Sequence, residues 1–237
     1  MNQDRKKFFG SLAIPALLVT LMWVVKVAEM AFSVDLTTWG VIPRTAEGLW
    51  GILTMPFLHA DWEHLLTNTT AMLVLGTALY YCYPTLANRI MLISWLFSGA
   101  LTWCIGRPGT IHVGASAVIY SLNLFLILSG FIRRNRMLIV ISLIMVFLYG
   151  SFVWGMIPAF AKAFNENEKD ISWEGHLSGA IVGTLLALIY RKKGPPKEEH
   201  HWDEDDDDTP DNTDEKPYWD VPTPSDEDLK VEYRFRR

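Results

Sequence analysis

The chain has 237 residues, half of them hydrophobic and a fifth charged, with a net charge of −5. That charge is unevenly placed: residues 1–193 carry 15 Lys/Arg against 10 Asp/Glu, and residues 194–237 carry 6 against 16. Length alone would suit one or two soluble domains, but the apolar runs of the first part are too long and frequent for a water-soluble core, and no basic stripe is present for a nucleic-acid partner.

A helix rises 1.5 Å per residue, so crossing a hydrocarbon core of about 30 Å takes roughly 20 apolar residues. Backbone polar groups find no water in lipid, which leaves helices or closed strands, and these runs are too uniformly apolar for barrel strands. The first, Phe8–Phe32, follows Arg5, Lys6 and Lys7. A secretory signal also starts this way, but no A-x-A-like site closes the run, and it outlasts an h-region of about 7–15 residues, so it reads as a retained span. Residues 33–64 form a long loop containing Trp39, Pro43, Trp50, Pro56 and Trp62. Such aromatics suit the membrane interface, and the loop reads as ordered and dipping into the outer leaflet. Leu65–Tyr83 is the second span, Ile90–Ile105 a short third, Val113–Ile132 the fourth, Met137–Phe160 the fifth and Ile171–Tyr190 the sixth.

The fold class is therefore all-α, a polytopic bundle of six transmembrane helices over residues 1–193. Residues 194–237 read as a disordered acidic tail, because a run such as Asp203–Asp208 cannot bury enough apolar surface to offset ordering entropy. Ten basic residues lie on one side of the bundle: Arg5, Lys6, Lys7, Arg89, Arg133, Arg134, Arg136, Arg191, Lys192 and Lys193. The positive-inside rule makes that side cytoplasmic and puts both termini there. Cys82 and Cys104 fall at opposite faces, so no disulfide is expected.

Polar groups inside a bilayer are costly and mark function. His64 and Asn68 open the second span four residues apart, on one helix face. The fourth opens with Gly114-Ala115-Ser116-Ala117, and Ser116, Tyr120 and Asn123 share a face. The sixth carries Gly175-His176, then Gly179 and Gly183. All three spans start on the outer side, so these groups lie at similar depth. A Ser and a His on neighbouring helices form a nucleophile–base pair, because the hydroxyl attacks well only once the imidazole takes its proton. Ser116 starts a helix, where free N–H groups favour negative charge, and His64 and Asn68 add donors for an oxyanion hole. Gly179-x-x-x-Gly183 lets two helices approach closely, which would press the sixth span on the fourth, with Tyr120 packing on the imidazole. Asn123 reads as an interhelical hydrogen-bonding residue and His59 as a brace for the loop. Glu174 is not placed to complete a triad. His59 to His64 is one residue too long for H-x-x-E-H spacing, so no metal and no cofactor are expected.

Taken in order, His59…His64-x-x-x-Asn68, Gly114-x-Ser116-x-x-x-Tyr120 and Gly175-His176-x-x-Gly179-x-x-x-Gly183 resemble the rhomboid family of intramembrane serine proteases over roughly residues 40–190. The resemblance implies Ser116 as nucleophile, His176 as general base, and His64, Asn68 and the Ser116 N–H as the oxyanion hole. It implies single-pass membrane proteins as substrates, the lipid bilayer as surroundings and a prokaryotic cell membrane as location; the oligomeric state is left open. Two positions depart from the family pattern: Ala117 stands where Gly commonly follows the serine, and Gly51 stands where Arg commonly follows Trp50. The competing readings are a catalytically inactive rhomboid-like protein that binds and steers transmembrane clients, and a transporter or channel, which would want charges along a midplane path.

Overall fold

The structure is a computed structural model that describes residues 3–148 and 172–194. The described chain runs α1 (Gln3–Phe32), α2 (Gly48–Thr54), α3 (Trp62–Cys82), α4 (Ala87–Ile105), α5 (Ser116–Arg133), α6 (Arg136–Leu148) and α7 (Trp173–Ile189), with 3₁₀ turns at Thr37–Trp39 and Met55–Phe57. Among the described residues there is no strand, and one isolated antiparallel bridge joins Val41 to His112.

The described residues form an all-helical fold, and α1, α3 and α5 are each long and apolar enough to cross a membrane. At 1.5 Å per residue their 30, 21 and 18 residues give about 45, 31 and 27 Å. α6 and α7 are shorter apolar helices. The expected fifth span extends past Leu148 and the acidic tail past Gly194, so the rest of that span and nearly all of the tail lie outside the described residues.

Local chemistry sets the helix limits. α1 starts at Gln3, five residues before the expected Phe8, because nothing in Asp4–Lys7 opposes helix. α3 starts where the Asp61 carboxylate accepts the His64 N–H at 2.8 Å, an N-cap that satisfies an otherwise orphaned donor. α5 starts at Ser116 rather than Val113, since Gly114 has φ +105° and cannot be helical. α5 ends at Arg134 in the left-handed conformation. α7 is capped by Ser172, whose hydroxyl accepts the Gly175 N–H.

The loop over residues 33–61 is ordered, as its aromatic and apolar content suggests. It contains α2, and two α4 tryptophans hold it: Trp95 Nε1 donates to the Ile52 carbonyl at 2.9 Å and Trp103 Nε1 to the Thr45 carbonyl at 2.8 Å. From α1, the Lys26 ammonium donates to the His59 and Ala60 carbonyls and pairs with Glu29. Trp39, Trp50 and Trp62 are exposed, as suits interfacial aromatics.

α5 lies at the centre, packed by α3, α4, α6 and α7. Its Leu122, Phe125 and Leu126 are fully buried with Leu75 and Leu79 of α3 and Ile90 of α4. α1 packs on α3 where Pro15 meets Gly76, a position at which a Cβ would strike the proline ring. Ser94, Ser98, Ser121, Asn123 and Ser178 are buried beside this apolar core, whereas Phe97, Leu185 and Ile189 are exposed. An apolar exterior with small polar side chains buried between helices suits a lipid solvent.

Candidate active site

Gly114 controls the approach to Ser116. Its φ of +105° disfavours any side chain, and a Cβ there would strike the His64 imidazole and lie 3.2 Å from Asn68 Nδ2. The absence of a side chain therefore brings the α5 entry loop directly against His64 and Asn68. The Gly114 N–H donates to the Met55 carbonyl at 2.9 Å, which fixes the turn against the loop after α2. Ser116 follows as the first residue of α5 and is half-buried.

His176 reaches the same region from α7. Gly179 and Gly183 make this possible: a Cβ on Gly179 would fall on the Ala117 carbonyl oxygen, and one on Gly183 on the Ser121 carbonyl oxygen. The two helices meet backbone to backbone, as small-residue packing allows. The His176 imidazole then stacks on the Tyr120 ring, with centroids 4.2 Å apart and planes 7° apart. Ser116 is one turn from Tyr120 on α5, so α5 and α7 bring the hydroxyl-bearing turn and the imidazole to the same end of their contact.

His64 and Asn68 share one face of α3. Asn68 is buried, and its Nδ2 makes no hydrogen bond among the described residues. A buried amide donor with no partner is costly, and this one points toward Gly114, two residues before Ser116. His59 packs edge-on against His64, with centroids 5.1 Å apart, and is 1% exposed. Burial pushes its imidazole down to about 3, with the neighbouring His64 adding to the effect and the Phe57 carbonyl opposing it. His59 therefore packs as a neutral ring against His64.

The structure also accounts for both departures from the family pattern. Ala117 is 2% exposed, and its methyl joins Val41 and Met55 in a small core beneath the loop. Gly51 faces the Gly40–Val41 backbone so closely that a Cβ would overlap it, leaving no room for an Arg.

Sequence reasoning missed a polar cluster beside the site. Arg107, in the α4–α5 loop, donates from Nε to Glu174 Oε1 at 2.5 Å. His112 Nδ1 lies 2.6 Å from Ser172 Oγ, and its Nε2 lies 2.9 Å from Thr110 Oγ1. Glu174 is fully buried, so it takes part in a tie between loop and helix. The available signal was modest: a Ser N-cap followed by Glu in the first turn of an apolar run. Among the described residues no three His, Cys, Asp or Glu side chains group as metal ligands, and Cys82 and Cys104 are free.

A family model for the Rhomboid domain matches residues 46–193. The chain belongs to the rhomboid family. That family comprises intramembrane serine proteases and inactive relatives, which act on membrane proteins within the bilayer. An uncharacterised protein of Mycobacterium tuberculosis is 34% identical over 176 residues, covering 72% of this chain and 71% of the relative. Rhomboid-related protein 1 of Caenorhabditis elegans is 26% identical over 149 residues, covering 62% of this chain and 41% of its own length. Rhomboid-like protein 11, chloroplastic, of Arabidopsis thaliana is 24% identical over 153 residues, covering 59% and 52%. This rhomboid domain contains every residue singled out for the site, from His59 to Gly183.

Proposed function

We propose that this rhomboid is an intramembrane serine endopeptidase that cleaves single-pass membrane proteins in or near the outer leaflet. The observation that carries the reading is the stack of His176 on Tyr120, one turn from Ser116. Ser116 Oγ attacks the scissile carbonyl while His176 takes its proton. The tetrahedral oxyanion is held by the Asn68 amide, the His64 imidazole and the Ser116 N–H. The intermediate collapses as His176 passes the proton to the leaving amine, and water releases the acyl group by the reverse relay. The Asn68 Nδ2, which makes no hydrogen bond among the described residues, supports the oxyanion role, since a buried donor is best satisfied by the charge that develops there. Gly114, Tyr120, Gly179, Gly183 and His59 support the pair by close approach, stacking and bracing.

A helical substrate must unwind locally, because its carbonyls are already hydrogen-bonded. Helix-weakening residues are expected near the cut, with a small residue just before it. The basic residues flanking the apolar runs support a six-span bundle of a prokaryotic cell membrane with both termini in the cytoplasm. The chemistry requires no cofactor.

Co-expression with tagged single-pass proteins tests the reading. Wild type is expected to cleave at least one of them, whereas Ser116→Ala and His176→Ala leave all intact. Full cleavage by Ser116→Ala overturns the mechanism. Failure of a fluorophosphonate to label Ser116 favours an inactive, client-steering relative.

A further inference from the structure

The loop that delivers Ser116 and the helix that delivers His176 are tied together, and His112 is at the centre of the tie. It is 3% exposed. Its backbone pairs with Val41 in both directions, at 2.8 and 2.9 Å, which fixes the ring's origin against the loop after α1. The ring itself spans two hydroxyls, Ser172 Oγ at 2.6 Å and Thr110 Oγ1 at 2.9 Å.

The surrounding bonds assign the protons. Thr110 donates its hydroxyl proton to the Arg107 carbonyl at 2.7 Å, so its oxygen is left to accept from Nε2–H. Nδ1 then carries the lone pair and accepts the Ser172 hydroxyl. The Ser172 oxygen in turn accepts the Gly175 N–H at 3.3 Å, and the Ser172 carbonyl accepts the His176 N–H at 3.1 Å. A neutral imidazole satisfies every group in this chain. Two residues further along α7, Arg107 grips the buried Glu174. The first turn of α7 is therefore held at two points by residues 107–112, and the same loop reaches Ser116 four residues later.

We propose that His112 is a positioning residue for the Ser116–His176 pair, an imidazole strut that sets the height and rotation of α7's first turn against the loop delivering Ser116. The inference rests on the peptidase reading above and deepens it. His112 does not touch the reacting atoms; it acts through Ser172 and the backbone of the turn that carries His176. A flat ring with polar atoms on two edges suits this role, because the buried imidazole holds both partners at fixed distances.

The test uses the full chain in detergent with a fluorophosphonate, following labelling against time and probe concentration, alongside amide exchange of the first turn of α7. His112→Leu and Ser172→Ala are each expected to lower the maximal labelling rate about tenfold, as small misplacements of reacting groups do. The half-saturating probe concentration and the final labelled fraction stay at wild-type values. The double variant is no slower than the slower single one, since both remove one linkage, and the Gly175 and His176 amides exchange faster. His112→Asn, which keeps a polar atom near the Nδ1 position, recovers most of the rate. Three results overturn the proposal: unchanged rates in His112→Leu and Ser172→Ala; losses that add in the double variant; or a smaller labelled fraction at unchanged rate, which marks a purely structural role. If wild type is not labelled at all while the amides of His112→Leu still exchange faster, the peptidase reading has failed and the strut is structural only. If wild type is labelled through Ser116 and neither rate nor exchange responds, the peptidase reading stands and the strut alone fails.

Discussion

The rings of Tyr120 and His176 lie parallel, 7° apart in plane and 4.2 Å between centroids. An imidazole so placed has lost most of its freedom about its side-chain bonds before any substrate arrives. Replacing Tyr120 with Phe keeps the aromatic face and is expected to leave reporter cleavage within a few-fold of wild type. Tyr120→Leu removes the stack and is expected to lower cleavage by about 10²-fold, the scale on which misplacing a catalytic group acts. Comparing the two variants on one single-pass reporter checks this; equal activity would show that the ring does not orient His176.

The contact between α5 and α7 depends on the absence of two methyl groups. Gly179 and Gly183 face carbonyl oxygens of Ala117 and Ser121, and these are backbone atoms that cannot rotate away. Gly179→Ala is expected to push the helices apart, costing about 1–3 kcal/mol as overpacking does, and to lower cleavage. Gly10, inside α1 with nothing within reach of an added Cβ, is the control: Gly10→Ala is expected to leave cleavage unchanged and not to destabilise, since Ala favours a helix over Gly.

Ala117 is a packed residue here. Its methyl fills the small core with Val41 and Met55, so Ala117→Gly, although it restores the common family residue, is expected to destabilise by about 1 kcal/mol. Cleavage is expected not to rise. Thermal unfolding together with reporter cleavage checks both halves, and a gain in activity at unchanged stability would contradict this account of the position.

His59 makes the fold acid-sensitive. Burial holds its imidazole down at about 3, whereas an unfolded His titrates near 6.5. Above about pH 6.5 both states are neutral and His59 contributes nothing to the pH dependence. Below it the unfolded chain takes up a proton that the folded chain refuses, so stability falls by at most about 1.4 kcal/mol per pH unit until the folded value is reached. His59→Leu is expected to flatten the fall in unfolding temperature between pH 6.5 and 5. A slope identical to wild type would show that His59 does not titrate in this way.

Much of the site was legible because its chemistry is local to short segments. His64 and Asn68 share a face by spacing alone, Ser116 opens a helix two residues after Gly114, and Gly179 and Gly183 announce a close helix contact. The three helices long enough to cross a membrane, α1, α3 and α5, were legible because lipid demands long apolar runs, and helix ends shifted by a few residues where caps intervened: Asp61 for α3, Gly114 for α5, Ser172 for α7. That residues 33–61 are ordered was legible, but what holds them was not. Trp95 and Trp103 hold that loop by bonds spanning 43 and 58 residues, and no local pattern encodes such distances.

The sequence by itself determined that this is a helical membrane protein, which family its motifs resemble, and which residue types could attack, accept a proton and hold an oxyanion. Periodicity, apolar length and charge placement act over a few turns and need no fold to be read. Only the tertiary structure decided that Ala117 and Gly51 are packed positions, that Glu174 faces Arg107 rather than His176, and that His112 bridges to Ser172 across 60 residues. The reason is physical: whether a methyl fits, or a buried hydroxyl finds its partner, depends on which backbone passes within a few ångströms, and distant parts of the chain set that.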